Sequence, residues 1–477
     1  MQTLKKTQPG GNSTSTSSTQ KTTNRITEGV IWEQLLLFFF PILMGTFFQQ
    51  LYNTADAMIV GRFVGKEALS AVSGSAGMLT QMIVGFFVGL SAGCGVIISQ
   101  YYGAKRPEMV GYAVHTSVAF SLLSGAFIMI IGIILAPRML GAMSTPEDIM
   151  DLSILYLRIY FLGMIPNLLY NTGSSILRAV GDSRRPLYFL IVSCMTNIVL
   201  DPIMIYGLLG CPKLGVAGAA WATVLGQIAS LALAAVFHFR LNRELPFRRK
   251  ALRLRRSIVG EIYSIGVPAI IAQGAMSVMN YCVNLIFGSL DSSYVTAYGI
   301  VYKIQQFVLF AAFGLRDAIT PIVSFSYGMQ NAKRIREGVR CGLMYTSALM
   351  LVCTAAVEIL AQPLAGIFSL SAGTMGLCVT GLRVLAVSFV FAGANIAIQG
   401  VFQATEGGVQ SLLVSLLRQL IFVLPAAWLF ARLLPTGVWL AFPIAEVLTA
   451  VIAAVLLLHT AGKGRLSQRD HAVSLDK

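Results

Sequence analysis

Apolar runs follow one another almost without a break from about residue 31 to residue 460 of this 477-residue chain. About twelve can be told apart, near 31–60, 68–101, 110–136, 148–173, 186–208, 215–240, 257–288, 294–327, 335–362, 371–404, 408–434 and 437–460. A helix needs about 20 such residues to cross the hydrocarbon of a bilayer. Several runs are longer, so tilt, kinks or extension beyond the bilayer are expected. With 56% hydrophobic and 12% charged residues and a mean hydropathy of +0.74, a soluble globule of this size would lack polar surface. The expected fold class is an all-α polytopic membrane protein.

Charge sets the topology. The net charge of +15 would suit nucleic acid, but its distribution argues against such a partner. With the N-terminus in the cytoplasm, most Lys and Arg fall on that side: Lys5, Lys6, Lys21 and Arg25 in the tail, then alternate loops and the C-terminus. Arg62, Lys66, Arg138, Lys213 and Arg432 lie opposite. That asymmetry is the positive-inside rule and places both termini in the cytoplasm of a cell-membrane protein. Arg243, Arg248, Arg249, Lys250, Arg253, Arg255 and Arg256 then form a linker, 241–256, beside anionic lipid. Residues 1–27, rich in Ser, Thr, Gln and Asn, read as a disordered polar tail without a signal peptide. The seven scattered cysteines lack ligand spacing and read as free packing residues.

The chain repeats itself. Pro41 and Gly61 recur as Pro268 and Gly288 at an offset of 227, Gly89-Leu90 and Tyr102-Gly103 recur as Gly314-Leu315 and Tyr327-Gly328 at 225, and Gly215-Val216 recurs as Gly437-Val438 at 222. A drifting, continuous offset is what a diverged duplication leaves. Six spans per copy start both copies on the same side. Two lobes related as parallel repeats are expected, 28–240 and 257–460, with a cavity between them and a cytoplasmic tail at 461–477.

Polar side chains inside apolar runs are costly and mark function. Asp56 ends the first run, Asn197 and Asp201 share a helix face at i, i+4, as do Tyr52 and Asp56. Thr223 sits in the next run at a similar depth, judged from the ~1.5 Å rise per residue. Two close carboxylates repel in low dielectric, so the set suits a proton or a sodium ion.

The run Leu51-Tyr52-Asn53-Thr54-Ala55-Asp56 with Met58 to Arg62, the segment Leu177 to Asp182 with Pro186, Asn197 to Gly207 and Leu214 to Thr223 together resemble the multidrug and toxic compound extrusion (MATE) family over about residues 30–460. The resemblance implies a twelve-helix, two-lobe antiporter exchanging Na⁺ or H⁺ for organic, often cationic, compounds. It carries the family's N-lobe cation site onto Asp56, Asn197, Asp201 and Thr223, with Tyr52 beside it. Acids found in the seventh and tenth spans of some relatives have no counterpart here. Amides stand in that lobe instead, at Gln273, Asn280, Asn284, Asn395, Gln399 and Gln403, so no C-lobe sodium site is expected.

The candidate substrate cavity comprises Tyr52, Gln49, Gln273, Asn280 and Lys303, with Lys303 lining it or pairing with an acid such as Glu446. Arg316-Asp317 reads as a local ion pair, and Arg418 as a brace. Thr145-Pro146-Glu147-Asp148 reads as a helix start with a threonine cap. Four histidines without metal-ligand spacing and the lack of a P-loop argue against an enzyme, a cofactor or ATP as the energy source. The reading is a secondary active exporter whose partners are the bilayer and small organic substrates, with no obligate protein partner. A lipid-linked sugar flippase is the alternative, and a membrane-embedded enzyme or receptor the more distant one. A cysteine introduced at Lys250 should resist an impermeant thiol reagent applied outside intact cells; labelling there would overturn the topology.

Overall fold

The computed structural model describes residues 29–241, 253–368 and 370–462. The expected tail 1–27, nearly all of the tail 461–477 and most of the linker 241–256 lie outside them. All regular structure among the described residues is helical. We number the membrane-length segments as spans: 1, Ile31–Arg62; 2, Glu67–Gly103; 3, Pro107–Ala142; 4, Glu147–Leu162 with Met164–Ala179; 5, Arg184–Tyr206; 6, Val216–His238; 7, Arg256–Gly288; 8, Ser292–Gly328; 9, Ala332–Gly366; 10, Ala372–Ala404; 11, Gly408–Leu433; 12, Pro435–Ala461. Eleven are single stretches and span 4 is a pair bent by 48°, so the expected twelve are present.

Breaks have local causes. Span 4 bends at Gly163, where Pro166 lacks the N–H that would bond to Leu162, and a Cβ on Gly163 would lie 2.5 Å from Gln227 Oε1 on span 6. Span 11 contains a π-helical turn at Leu417–Ile421. The start of span 4 differs from the expectation: Thr145 donates to Leu140 O at 2.8 Å and does not cap the helix, although Glu147 and Asp148 do occupy its first turn.

Each lobe has its own core. Phe87, Leu157, Phe161 and Leu168 are wholly or almost wholly buried in the first. In the second, Phe287 meets Trp439 and Tyr298 edge-on, with centroids 5.0 and 5.1 Å away. A third cluster crosses between lobes: Ile31, Leu35, Phe38 and Phe39 of span 1 pack with Leu315, Ile319 and Ile322 of span 8 and Val401 of span 10. Beyond Pro41, span 1 turns to the N-lobe, where Gly45 lies against Leu187 and Leu190 of span 5. Span 1 therefore belongs to both lobes, divided near a proline that removes one ladder hydrogen bond. Large apolar side chains such as Phe127, Ile134, Val352 and Ile359 face outward, as a lipid-facing surface requires.

The duplication is visible as a pseudo-two-fold axis. A Cβ on Gly103 would collide with the carbonyl of Phe325, and one on Gly328 with the carbonyl of Gln100. Residues 100 and 325, like 103 and 328, are repeat mates at the same offset of 225. Gly89 likewise lies against Ala269 and Ile270, and its mate Gly314 against Phe39 and Ile42. Around these glycines the lobes are joined at the end where span 1 begins. Ser99 donates to Pro321 O at 2.9 Å, Gln100 to Ala404 O at 3.1 Å and Tyr101 to a Glu261 carboxylate oxygen at 2.7 Å.

A backbone carbonyl cannot rotate away as a side chain can, so added methyls at this crossing are costly, about 1–3 kcal/mol. Gly103→Ala and Gly328→Ala should each lower the thermal midpoint of the detergent-purified protein. Gly299→Ala, where a Cβ meets nothing within 4 Å, should not; equal midpoints for all three would refute the close crossing.

Candidate cation site and substrate cavity

Small residues bring span 6 onto span 5. Gly218 lies under the backbone of Met204, Gly226 under Ser193 O and beside Asn197 Cβ, and Ala219, Ala220 and Ala222 are fully buried. That approach is what the segment Leu214 to Thr223 encodes. It sets Thr223 against the Asn197–Asp201 face of span 5, while packing of spans 1 and 5 brings in Asp56.

Asp201 is fully buried, and Asn197, Thr223 and Asp56 are 2%, 5% and 9% exposed. With its amide oriented so that both ends are satisfied, Asn197 donates to Asp201 Oδ2 at 3.0 Å and accepts from the Thr223 backbone N–H at 3.2 Å, with the Thr223 hydroxyl 3.3 Å away. That hydroxyl also reaches Ala219 O at 3.1 Å. The Asp56 and Asp201 carboxyl groups are near enough to interact electrostatically. Two carboxylates can only accept. Asp56 Oδ1 is buried without a partner among the described residues. A proton or a cation between the carboxyls would satisfy both.

Tyr52 stands within reach of Thr223, one turn before Asp56. Span 4 adds Tyr156 and its stacked neighbour Tyr160, ring centroids 6.1 Å apart, close enough to sense the carboxyl pair and Tyr52. Neither tyrosine was expected in the site; their i, i+4 spacing was the available signal.

The C-lobe is organised differently. Arg418 Nε and Nη2 both donate to Glu446 Oε1, at 3.0 and 2.7 Å, and Asn395 donates to Glu446 Oε2 at 2.8 Å. Arg418 and Glu446 are each 7% exposed. Lys303, offered as the partner of Glu446, is exposed, lines neither cavity and has no ion pair among the described residues. Tyr302, Gln305 and Gln306 beside it face the first cavity, which also contains Arg418 and Glu446. Gln273 lines a second cavity at the lobe junction, Gln49 is exposed, and Asn280 is half-buried against Asn284. Arg316 and Asp317 form the expected local ion pair at 2.9 Å. Among the described residues no His, Cys, Asp and Glu group has the arrangement of a metal centre, and the seven cysteines are free.

Comparison with known proteins agrees with this architecture. The MatE family model matches twice, over residues 41–203 and 268–429, once in each repeat. The probable multidrug resistance protein YoeA of Bacillus subtilis (strain 168) is 28% identical over 436 residues, covering 90% of this chain and 94% of YoeA. The multidrug export protein MepA of Staphylococcus aureus (strain bovine RF122 / ET3-1) is 23% identical over 434 residues, with coverage of 90% and 94%. A structure described as the outward-facing conformation of a multidrug resistance MATE family transporter of the MOP superfamily superposes with a TM-score of 0.87 at 24% identity, covering 94% of this chain and 99% of that one. A family model matched in both halves of a duplicated twelve-span chain identifies this protein as a member of the multidrug and toxic compound extrusion family of membrane transporters, and not an enzyme.

Proposed function

We propose that this transporter is a secondary active multidrug exporter, exchanging organic and chiefly cationic compounds for Na⁺ or H⁺ bound at Asp56, Asn197, Asp201 and Thr223. The observation that carries the reading is the buried Asp56–Asp201 pair, which holds two acceptor groups together and leaves one Asp56 oxygen unpartnered. Such a pair is tolerable only when a proton or cation enters it. The names of YoeA and MepA, both concerned with drug resistance or export, support the substrate class.

Occupancy of the site acts on span 1, because Asp56 lies on the N-lobe half of a helix whose first half packs in the C-lobe cluster. An ion shifts the balance between two states only by its differential affinity for them. The junction described above is closed at the end bearing the start of span 1. With both termini in the cytoplasm, this is the outward-facing state, in which the N-lobe site would take its ion from outside. Release of the ion inward would follow rearrangement of span 1 about Pro41.

The flippase alternative calls for a strongly basic cavity. Here only two basic side chains, Arg316 and Arg418, line the two cavities among the described residues, and each already holds an acid, which is fewer free charges than a pyrophosphate calls for and favours export of smaller solutes.

In proteoliposomes, Asp56→Asn and Asp201→Asn should each abolish efflux driven by an imposed gradient while leaving insertion and folding intact, since an amide keeps the shape but cannot ionise. Thr223→Ala should weaken coupling less. Parental transport by Asp201→Asn under both a sodium and a proton gradient would overturn the mechanism.

A further inference from the structure

The C-lobe side of the cavity carries an arrangement that cation exchange does not use. The second cavity lies where spans 2, 7, 8, 10 and 11 meet, and small residues such as Gly85, Gly89 and Ala272 make room for it. Two guanidinium groups line it, Arg316 and Arg418, with the side chains of Gln399, Gln403 and Gln419, and no acid does. Their carboxylate partners stand aside: Glu446 borders the other cavity, and Asp317 borders neither.

Both arginines hold their partner in the same way. Each uses Nε and Nη2 on a single carboxylate oxygen, Arg418 on Glu446 Oε1 and Arg316 on Asp317 Oδ1. A guanidinium has five N–H groups. The other three on each meet no hydrogen-bond acceptor among the described residues. Gln399 Nε2, on a side chain 5% exposed, is a further buried donor without a partner. The π-helical turn at Leu417–Ile421 contains Arg418 and Gln419, and each of these consecutive residues borders both cavities; π turns are frequent at functional sites.

Resting on the export reading above, we propose that this cavity receives the carboxylate of a zwitterionic substrate, between Arg316 and Arg418, with Gln399 as an additional donor. Guanidinium and carboxylate match as a planar fork, and the charge-assisted hydrogen bonds are the strong kind. Arg418 is held in advance by Glu446 and loses little freedom on binding. Phe313 and Met276, which line both cavities, offer apolar contact to the body of such a molecule. The N-lobe acids are left to the coupling ion and to the cationic end of the substrate.

A matched pair of probes tests this: a xanthylium dye bearing a free carboxylate and the same dye as its methyl ester, titrated against the purified full chain in lipid-free detergent. The parental protein should bind the acid at least about tenfold more tightly than the ester, a difference of about 1.4 kcal/mol, which is at the lower limit of what one added hydrogen bond to a charged group contributes. Arg316→Gln should shrink the preference. Arg418→Gln should abolish it, as should the paired Arg418→Gln with Glu446→Gln, which strands no buried charge, while binding of the ester persists. Equal affinity for acid and ester, or a preference untouched by these variants, would overturn the carboxylate site and leave the export reading standing. Failure to bind either dye would sink that reading and this one with it. Loss of the preference on adding phosphatidylglycerol would assign the guanidinium groups to a lipid phosphate and also overturn the proposal.

Discussion

Two acids facing each other away from water impose the condition that organises the N-lobe. Asp56 and Asp201 come from spans 1 and 5, so the energy of their contact depends on where span 1 lies and on what sits between the carboxyls. Asn197, itself held by the Thr223 backbone, donates to Asp201 Oδ2, while Asp56 Oδ1 has no partner among the described residues. Because the first half of span 1 is part of the inter-lobe cluster, that one helix physically links residue 56 to the other lobe. Pro41 lies where that helix changes allegiance, and the missing N–H makes a hinge there inexpensive.

The duplication preserved a scaffold and divided the chemistry. Spans 5 and 6 hold Asn197, Asp201 and Thr223, and their repeat counterparts, spans 11 and 12, hold Arg418 and Glu446. At the offset of 222 that aligns Gly215-Val216 with Gly437-Val438, Thr223 corresponds to Ala445, next to Glu446. Each lobe thus has a buried carboxylate at a related place. In the C-lobe its counter-charge is a guanidinium fixed to the chain, which leaves no acid there awaiting a mobile cation. In the N-lobe no ion pair to Asp56 or Asp201 is found among the described residues, and on the proposed mechanism the compensation comes from solution. A lobe that carries its own counter-ion is suited to recognition, and one that must borrow it is suited to coupling.

The sequence exposed these features unequally, for physical reasons. Apolar runs and the repeated Pro41/Pro268 and Gly103/Gly328 pairs are one-dimensional signals, and the twelve spans and two lobes follow from them. Asn197 and Asp201 share a face by helix periodicity alone, and the small residues around Thr223 indicate a close approach to a neighbour. Which neighbour is a different matter. Periodicity gives the face of a helix and not what lies opposite, so Lys303 was expected near a cavity that its neighbours Tyr302, Gln305 and Gln306 line. Tyr156 and Tyr160 do not stand out in the sequence, because aromatic residues in membrane helices are common. Arg418 was read as a brace, which its pairing with Glu446 supports, but it borders two cavities from within a π turn that no regular period anticipates.

The joined end sets the energy that export has to overcome. Ser99 to Pro321, Gln100 to Ala404 and Tyr101 to Glu261 are hydrogen bonds that tie span 2 to spans 8, 10 and 7. At about 0.5–1.5 kcal/mol for a neutral bond and about 1.5–3 for one to a charged group, these three are worth roughly 2.5–6 kcal/mol. Reversing a two-state balance from 1:99 to 99:1 takes about 5.5 kcal/mol of differential binding. The two figures are of the same size, so on the coupling proposed above the polar part of this junction is within reach of one ion whose affinity differs by about four orders of magnitude between the states. A single site of buried acids is of the right order to supply such a difference, because desolvating an uncompensated carboxylate costs several kcal/mol. The glycine crossing makes the contact close and short-ranged, and the hydrogen bonds make it specific; neither is so strong that nucleotide hydrolysis would be needed to undo it.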